Sequence, residues 1–245
     1  MNNIFVVGTD TGVGKSVLSL LLMQFFFNKG MAPCYLKPVQ TGCRDPYDTD
    51  SDAKFIYENT YELKGKDPAD SIIYCFIQPK APFFAARNEK TEIDLTIIRE
   101  VLTSKSSIYN PVIIEAAGGL LVPFNKDALM VDAVKSLEVR PLLASRAGLG
   151  TINHTLMSLE ILERREIKPL GIILLDSGEQ AVPLDMINEN IEAIETNSGV
   201  KVAGVVGRIR DFSKPGEQAF LPIENVFSEA FKFDGLFTSP SSINP

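Results

Sequence analysis

The chain holds a single histidine, His154, and no tryptophan. One histidine nearly excludes a His-rich metal centre and leaves any Ser–His–Asp or Cys–His catalyst resting on one position. Basic residues are the minority, 24 against 31 acidic, for a net charge of −7; a general nucleic-acid binder needs the opposite balance. Three cysteines, Cys34, Cys43 and Cys75, form an odd set without C-x-x-C spacing. They are expected as reduced thiols of a cytoplasmic protein rather than as a disulfide framework or a zinc site. No basic region precedes the short apolar run at the N-terminus, so no signal peptide is expected. The longest apolar stretch, Val17 to Phe27, is broken by Ser19 and Gln24 and falls short of the ~20 residues of a membrane span. Lysines, carboxylates and backbone amides are left to carry the chemistry.

What is present is an alternation. Short apolar runs at 4–7, 34–39, 72–77, 112–114, 142–144, 170–175 and 202–206 predict seven strands. Between them lie helical patterns. One runs over 15–28 and is closed by Gly30; another is capped by Asp94, with Leu95, Ile98, Val101 and Leu102 on one face. A third carries Ile152, Leu156, Leu159 and Leu162, and a fourth lies around 186–194. Strands apolar throughout and alternating with helices predict an α/β fold, a mostly parallel sheet with helices on both faces. The 245 residues are expected to form one domain burying roughly 70–75% of the unfolded surface, with a C-terminal appendage at about 225–245. In such sheets ligands bind beyond the carboxyl ends of the strands.

The segment Gly8-Thr9-Asp10-Thr11-Gly12-Val13-Gly14-Lys15-Ser16 follows the first strand and opens the first helix. Glycines let successive N–H groups face one anion, and the helix N-terminus adds partial positive charge. Lys15 can reach terminal phosphates and the Ser16 hydroxyl can ligate Mg²⁺. The strict G-x-x-x-x-G-K-[ST] pattern has Gly at position 9; here Thr9 stands there and the glycine comes one residue earlier, a variant loop. It predicts a P-loop NTPase-like fold. A dinucleotide-binding domain fits less well, because Gly8, Gly12 and Gly14 do not make G-x-G-x-x-G and Lys15 would be superfluous.

Two further strand ends deliver charge to the same edge. Lys37, in Leu36-Lys37-Pro38-Val39, places a second ammonium where charge moves in phosphoryl transfer. Glu115, at the end of Val112-Ile113-Ile114, takes the position of a Walker-B carboxylate, with Gly118 and Gly119 allowing close approach of substrate. Among Asp45, Asp48, Asp50 and Asp52, one is a plausible second Mg²⁺ ligand, while a run of aspartates is more often a solvated turn.

Taken together, these pieces resemble dethiobiotin synthase. The matching residues are Gly8-Thr-Asp-Thr with Gly14-Lys-Ser16, Lys37-Pro-Val with Thr41-Gly42, Ser51-Asp52-Ala53, Ala81-Pro82, Glu115 with Ala117-Gly118-Gly119, and Leu149-Gly150 with Ile152-Asn153-His154. They run in family order over roughly residues 3 to 210. The resemblance implies a homodimer that takes Mg-ATP, CO2 and 7,8-diaminononanoate, forms a carbamate, phosphorylates it and closes a ureido ring. It implies ATP contacts from Gly12, Val13, Gly14, Lys15, Ser16 and Val17, with Asp52, Glu115, Asp176 and Gly207. It places Ser16, Asp52 and Glu115 on Mg²⁺, and makes Thr11, Lys15 and Lys37 catalytic. Substrate contacts would come from Thr11, Lys37, Thr41 and Gly118, and from Gly150, Thr151, Ile152 and Asn153 of the partner subunit. Leu175 stands where the family carries an asparagine that reads adenine, which implies either relaxed base selection or selection by backbone near Gly207. A second reading is a switch ATPase of the partition or cell-division type, whose loop carries an extra lysine at the position held here by Asp10. Such proteins tend to end in a basic amphipathic helix, and the segment around Val226-Phe227 and Phe231-Lys232-Phe233 is not basic.

Overall fold

Strand β1 (Ile4–Gly8) is buried on both faces and lies at the centre of a sheet that has seven strands among the described residues. The structure, a computed structural model, describes residues 3–178 and 180–212. The expected appendage at about 225–245 lies outside these residues, as does the apolar segment around Val226 and Phe231. The remaining strands are β2 (Cys34–Thr41), β3 (Ile72–Phe76), β4 (Val112–Gly119), β5 (Arg140–Arg146), β6 (Gly171–Leu175) and β7 (Val202–Val206). All neighbours pair in parallel in the order β3-β2-β4-β1-β5-β6-β7. The chain leaves β1 toward one edge and returns through β4 to build the other. The carboxyl ends of β1, β2 and β4 therefore border the topological switch point, where open α/β sheets bind ligands.

The helices are α1 (Lys15–Asn28), α2 (Asp52–Glu58), α3 (Pro82–Asn88), α4 (Leu95–Ser106), α5 (Met130–Leu137), α6 (Thr151–Arg164) and α7 (Leu184–Ser198). Alternate residues of each strand feed two cores. Ile4, Val6, Tyr35, Ile113 and Leu142 pack under α1 and α2, while Phe5, Val7, Leu36, Ile114 and Leu143 pack under α4, α5, α6 and α7. Helix α1 is apolar around its circumference because it lies deep in the first core; Leu18, Leu20, Leu22, Met23 and Phe26 have no exposed surface. Each such side chain contributes roughly 1.5–3 kcal/mol. The helix stops where Gly30, at φ +71°, lets Met31 N–H turn back to the Phe26 carbonyl.

All seven strands occupy the predicted places, and β2 and β4 run longer than their apolar cores. Helices α2, α3 and α5, of seven or eight residues, are too short to show a period in the sequence. Local chemistry starts two of them. Ser51 Oγ accepts from Lys54 N–H at the start of α2, and Pro82 opens α3.

Candidate active site

The phosphate loop is held by what surrounds it. Gly8 ends β1 in a space where a Cβ would stand 2.9 Å from the Asp10 carbonyl oxygen and 3.0 Å from Lys15 and Val13 side-chain carbons. That crowding accounts for the glycine lying one residue before its usual place. Thr9, in the usual place, is tied down by its hydroxyl to Ser145 Oγ at 3.2 Å. Gly14 caps α1 at φ +96°, a left-handed conformation that glycine adopts without strain. The chain then enters α1 with Lys15 and Ser16 on its first turn. Lys15 Nζ donates to the Asp10 carbonyl at 2.9 Å, and the Asp10 carboxylate lies 3.6 Å from Arg146.

Five side chains from four elements converge beside the loop. Ser16 Oγ, on α1, donates to Asp52 Oδ1 at 2.6 Å or to Glu115 Oε1 at 2.9 Å. Lys37, on β2, places Nζ 2.7 Å from Asp52 Oδ2 and 2.8 Å from Glu115 Oε1. Tyr35, two residues earlier on the same strand face, donates its hydroxyl to Glu115 Oε2 at 2.9 Å. Asp52, the first residue of α2, donates its N–H to Gln40 Oε1. The structure thereby separates the aspartates: Asp52 enters the cluster, while Asp48 and Asp45 accept hydrogen bonds from their own turn.

Burial sets the electrostatics. Desolvation, then the neighbouring Lys37 ammonium, lowers the pKa of Lys15 from 10.5 to about 8. Desolvation also pulls at Lys37, but Asp52 and then Glu115 outweigh it and raise its pKa. Burial opposes ionisation of Asp52, and Lys37 and the Ser16 hydroxyl overcome it, so the carboxyl is held below its usual value. Tyr35 is pushed well above the ordinary phenol value, by burial first and Glu115 second.

A cavity of about 650 Å³ opens over this cluster, lined by Thr11, Gly12, Gly14, Lys15, Ser16, Val17, Lys37, Thr41, Asp52, Glu115 and Gly118 together with Gln40 and Lys80. Eleven of the residues expected on ATP, metal or substrate therefore line one cavity. Val13 is buried and can serve only through its backbone. A second hollow of about 200 Å³ shares Gly14, Val17 and Ser177 with the first and is bordered by Leu175, Asp176, Gly207 and Phe212. Leu175 packs its side chain against Gly14, and Asp176 Oδ2 accepts from Val182 N–H.

Gly150, Thr151, Ile152 and Asn153 do not line either hollow. They form the start of α6, whose N-cap Gly150 is left-handed. The Thr151 hydroxyl is fully buried and joins Ser145 and Thr155, which leaves its backbone at the helix N-terminus to meet a ligand. His154 is exposed on the same helix. Sequence reasoning missed Tyr35 and Gln40, both buried polar residues on β2. The period-2 alternation that puts Tyr35 on the Lys37 face was the available signal.

The residues present fit a Mg²⁺ ion: a hydroxyl and two carboxylates, hard oxygen donors already within hydrogen-bond reach of one another. Mg²⁺ is bound through one or two carboxylates and completes its shell with water and phosphate oxygens.

A family model described as an AAA domain matches residues 2–216. The ATP-dependent dethiobiotin synthetase of Paramagnetospirillum magneticum is 37% identical over 207 residues, covering 82% of this chain and 86% of that one. The enzyme of the same name from Methanococcus vannielii is 32% identical over 214 residues, 85% of this chain and 95% of that one. In fold, the septum site-determining protein MinD from Pyrococcus horikoshii, solved with Mg-ADP, superposes with a TM-score of 0.59 at 14% identity, over 96% of this chain and 97% of that one. That likeness describes the architecture, which synthetic and switching ATPases share. Sequence identity of 32–37% sustained over more than four-fifths of the chain makes the protein a member of the ATP-dependent dethiobiotin synthetase family.

Proposed function

We propose that the protein closes the ureido ring of dethiobiotin from 7,8-diaminononanoate, CO2 and ATP, releasing ADP and phosphate, a C–N ligase step of biotin synthesis. The observation that carries this reading is the meeting of Lys37, Asp52, Glu115 and Ser16 beside the phosphate loop, under a cavity with room for more than a triphosphate. One amine of the diamine adds to CO2 and loses a proton to give a carbamate. A carbamate oxygen attacks the γ-phosphorus of ATP and ADP leaves. The second amine then attacks the carbamoyl carbon, phosphate leaves and the ring closes.

An anion attacking a polyanion needs its charge cancelled before the atoms can approach. Lys15 and Lys37 supply two positive charges, and the amides of Gly12, Val13 and Gly14 with the N-terminus of α1 supply fixed dipoles. Ser16, Asp52 and Glu115 would hold Mg²⁺, which when bound neutralises phosphate charge. Thr11, Thr41 and Gly118 border the space left for the carbamate and diamine. Asp176 and Gly207 border the smaller hollow, assigned to the base, and Val17 lies between. Lysines nearby favour a neutral, nucleophilic second amine, since like charges depress an ammonium pKa. No histidine base is required.

We further assign the active unit to a homodimer. Gly150, Ile152 and Asn153 lie off the cavity of their own chain, next to the exposed Leu149 and Met157, so a role in substrate binding requires the cavity of a second copy. Free Cys34, Cys43 and Cys75 support a reducing compartment, the cytoplasm. Residues 1–245 are read as one synthetase unit.

The switch ATPase reading shares the fold, and Asp10 weighs against it. Its carboxylate faces Arg146, where a lysine would meet like charge. Among the described residues, no helix is long and apolar enough to cross a membrane. Phosphate release measured with diaminononanoate, bicarbonate and Mg-ATP tests the synthetase, and no diamine-dependent turnover refutes it. ATP-dependent pelleting with anionic vesicles would instead establish the switch.

A further inference from the structure

We propose that Tyr35 is a positioning residue for the metal site: its hydroxyl holds one oxygen of Glu115 turned into the protein, so that Glu115 offers a single oxygen to the cation and the site favours Mg²⁺ over Ca²⁺. The inference rests on the assignment of Ser16, Asp52 and Glu115 as the Mg²⁺ set.

Glu115 is 1% exposed and its two carboxylate oxygens have different neighbours. Oε2 accepts from Tyr35 Oη at 2.9 Å. Oε1 meets Ser16 Oγ at 2.9 Å and Lys37 Nζ at 2.8 Å, on the side of the cavity. Turning the carboxylate so that both oxygens face the cavity would break the Tyr35 contact and leave a buried hydroxyl unpaired, which costs far more inside the protein than in water. Tyr35 itself has no freedom to follow. It is 1% exposed and packs in the core beneath α1. Its carbonyl accepts from Ser71 Oγ at 2.9 Å, and it pairs in register with Ile113, two residues before Glu115 on the neighbouring strand. Alternation along β2 sends Tyr35 and Lys37 to the same face, one reaching the inner oxygen and the other the outer.

The chemical consequence follows from ion size. Mg²⁺ demands near-octahedral geometry at about 2.0–2.1 Å and uses few carboxylate oxygens, whereas Ca²⁺ accepts longer bonds and chelating carboxylates. A carboxylate with one oxygen engaged by an internal donor is a one-oxygen ligand, suited to the smaller ion. Partners of this kind are typically worth about 10–100-fold in metal affinity or activity.

Calorimetry of ATP binding to the full chain, in EDTA, in excess Mg²⁺ and in excess Ca²⁺, tests this. In the native protein Mg²⁺ should strengthen ATP binding at least about tenfold more than Ca²⁺ does; equal support by Ca²⁺ overturns the proposal without any variant. In Tyr35→Phe, ATP binding in EDTA should stay within about twofold, the gain from Mg²⁺ should fall about tenfold or more, and the ratio of the two gains should move toward Ca²⁺. Glu115→Gln alone and combined with Tyr35→Phe should respond alike, because Tyr35 acts through Glu115. A gain from Mg²⁺ within twofold of native, or equal losses in all three conditions, overturns the proposal; the second outcome marks Tyr35 as support for the fold only. Absence of diamine turnover with this metal pattern intact refutes the reaction instead, and leaves the role of Tyr35 standing.

Discussion

Replacing Lys15 with methionine should make the free protein more stable at neutral pH while abolishing its response to ATP. In the native state the Lys15 pKa lies near 8 instead of 10.5, chiefly through burial and secondarily through Lys37. Each tenfold loss of proton affinity corresponds to about 1.4 kcal/mol, so holding the proton on Lys15 at pH 7 costs the native state about 3 kcal/mol. Loss of the hydrogen bond from Nζ to the Asp10 carbonyl offsets about 1 kcal/mol of the gain, leaving about 2 kcal/mol. For a chain of this size that is roughly 4–8 °C in melting temperature. The sign of the pH dependence is distinctive. Between 8 and 10.5 the unfolded chain holds this proton and the native protein releases it, so native stability rises with pH across that window. The variant has no such dependence, and its advantage should be full below pH 8 and small by about pH 10. Lys37 releases its proton above the window, since its pKa is raised, and Asp52 titrates in acid. Cys43 and Cys75, pushed up by burial to about 11, titrate in both proteins and cancel in the difference. Urea unfolding of both proteins across this range checks the reasoning. A variant less stable than native at pH 7, or a difference that does not shrink as pH rises, would refute it.

Three other outcomes follow from the cluster. Lys37→Gln should lower diamine-dependent turnover by orders of magnitude while ATP still binds by calorimetry; near-normal turnover removes Lys37 from the chemistry. The same variant loses the ammonium between buried Glu115 and half-buried Asp52, a loss of about 3 kcal/mol without metal, and Mg²⁺ should recover much of the lost melting temperature. Asp52→Asn should raise the Mg²⁺ concentration needed for half-maximal phosphate release by about tenfold or more, whereas an unchanged titration sends the metal elsewhere. Gly14→Ala would force a left-handed residue and bring its Cβ within 2.9 Å of the Leu175 side chain; ATP affinity should fall at least about tenfold, with a stability loss of about 1–3 kcal/mol, both read from ATP titrations and melts.

Much of the site was legible along the chain because its parts are local. The loop from Gly8 to Ser16 is one continuous segment between a strand and a helix, and its glycines and lysine are spaced by backbone geometry alone. Lys37 and Glu115 were legible because a charge at the end of an apolar strand has few other uses. By residue type and spacing Asp52 was not separable from Asp45, Asp48 and Asp50, and only the family resemblance picked it out, because four aspartates in one turn look alike until α2 carries one of them to Ser16. Tyr35 was hidden in a different way: an aromatic in a buried strand reads as core, and its hydroxyl acquires a purpose only when β4 brings Glu115 beside it. At Thr151 only the packing against Ser145 and Thr155 shows that the hydroxyl turns inward and the backbone is the part left for a ligand.

The sequence by itself determined the seven strands, the phosphate loop and the scarcity of histidine that leaves lysines and carboxylates to do the chemistry. Those follow from periodicity, residue type and spacing within short segments. Only the tertiary structure decided the strand order that sets β2 beside β4 and β4 beside β1. Through that order it decided which carboxylates share Lys37, how far Lys15 is desolvated, and which oxygen of Glu115 faces the cavity. Each of these depends on groups tens of residues apart meeting within hydrogen-bond distance in a medium that screens charge poorly, and no local pattern in the chain encodes such a meeting.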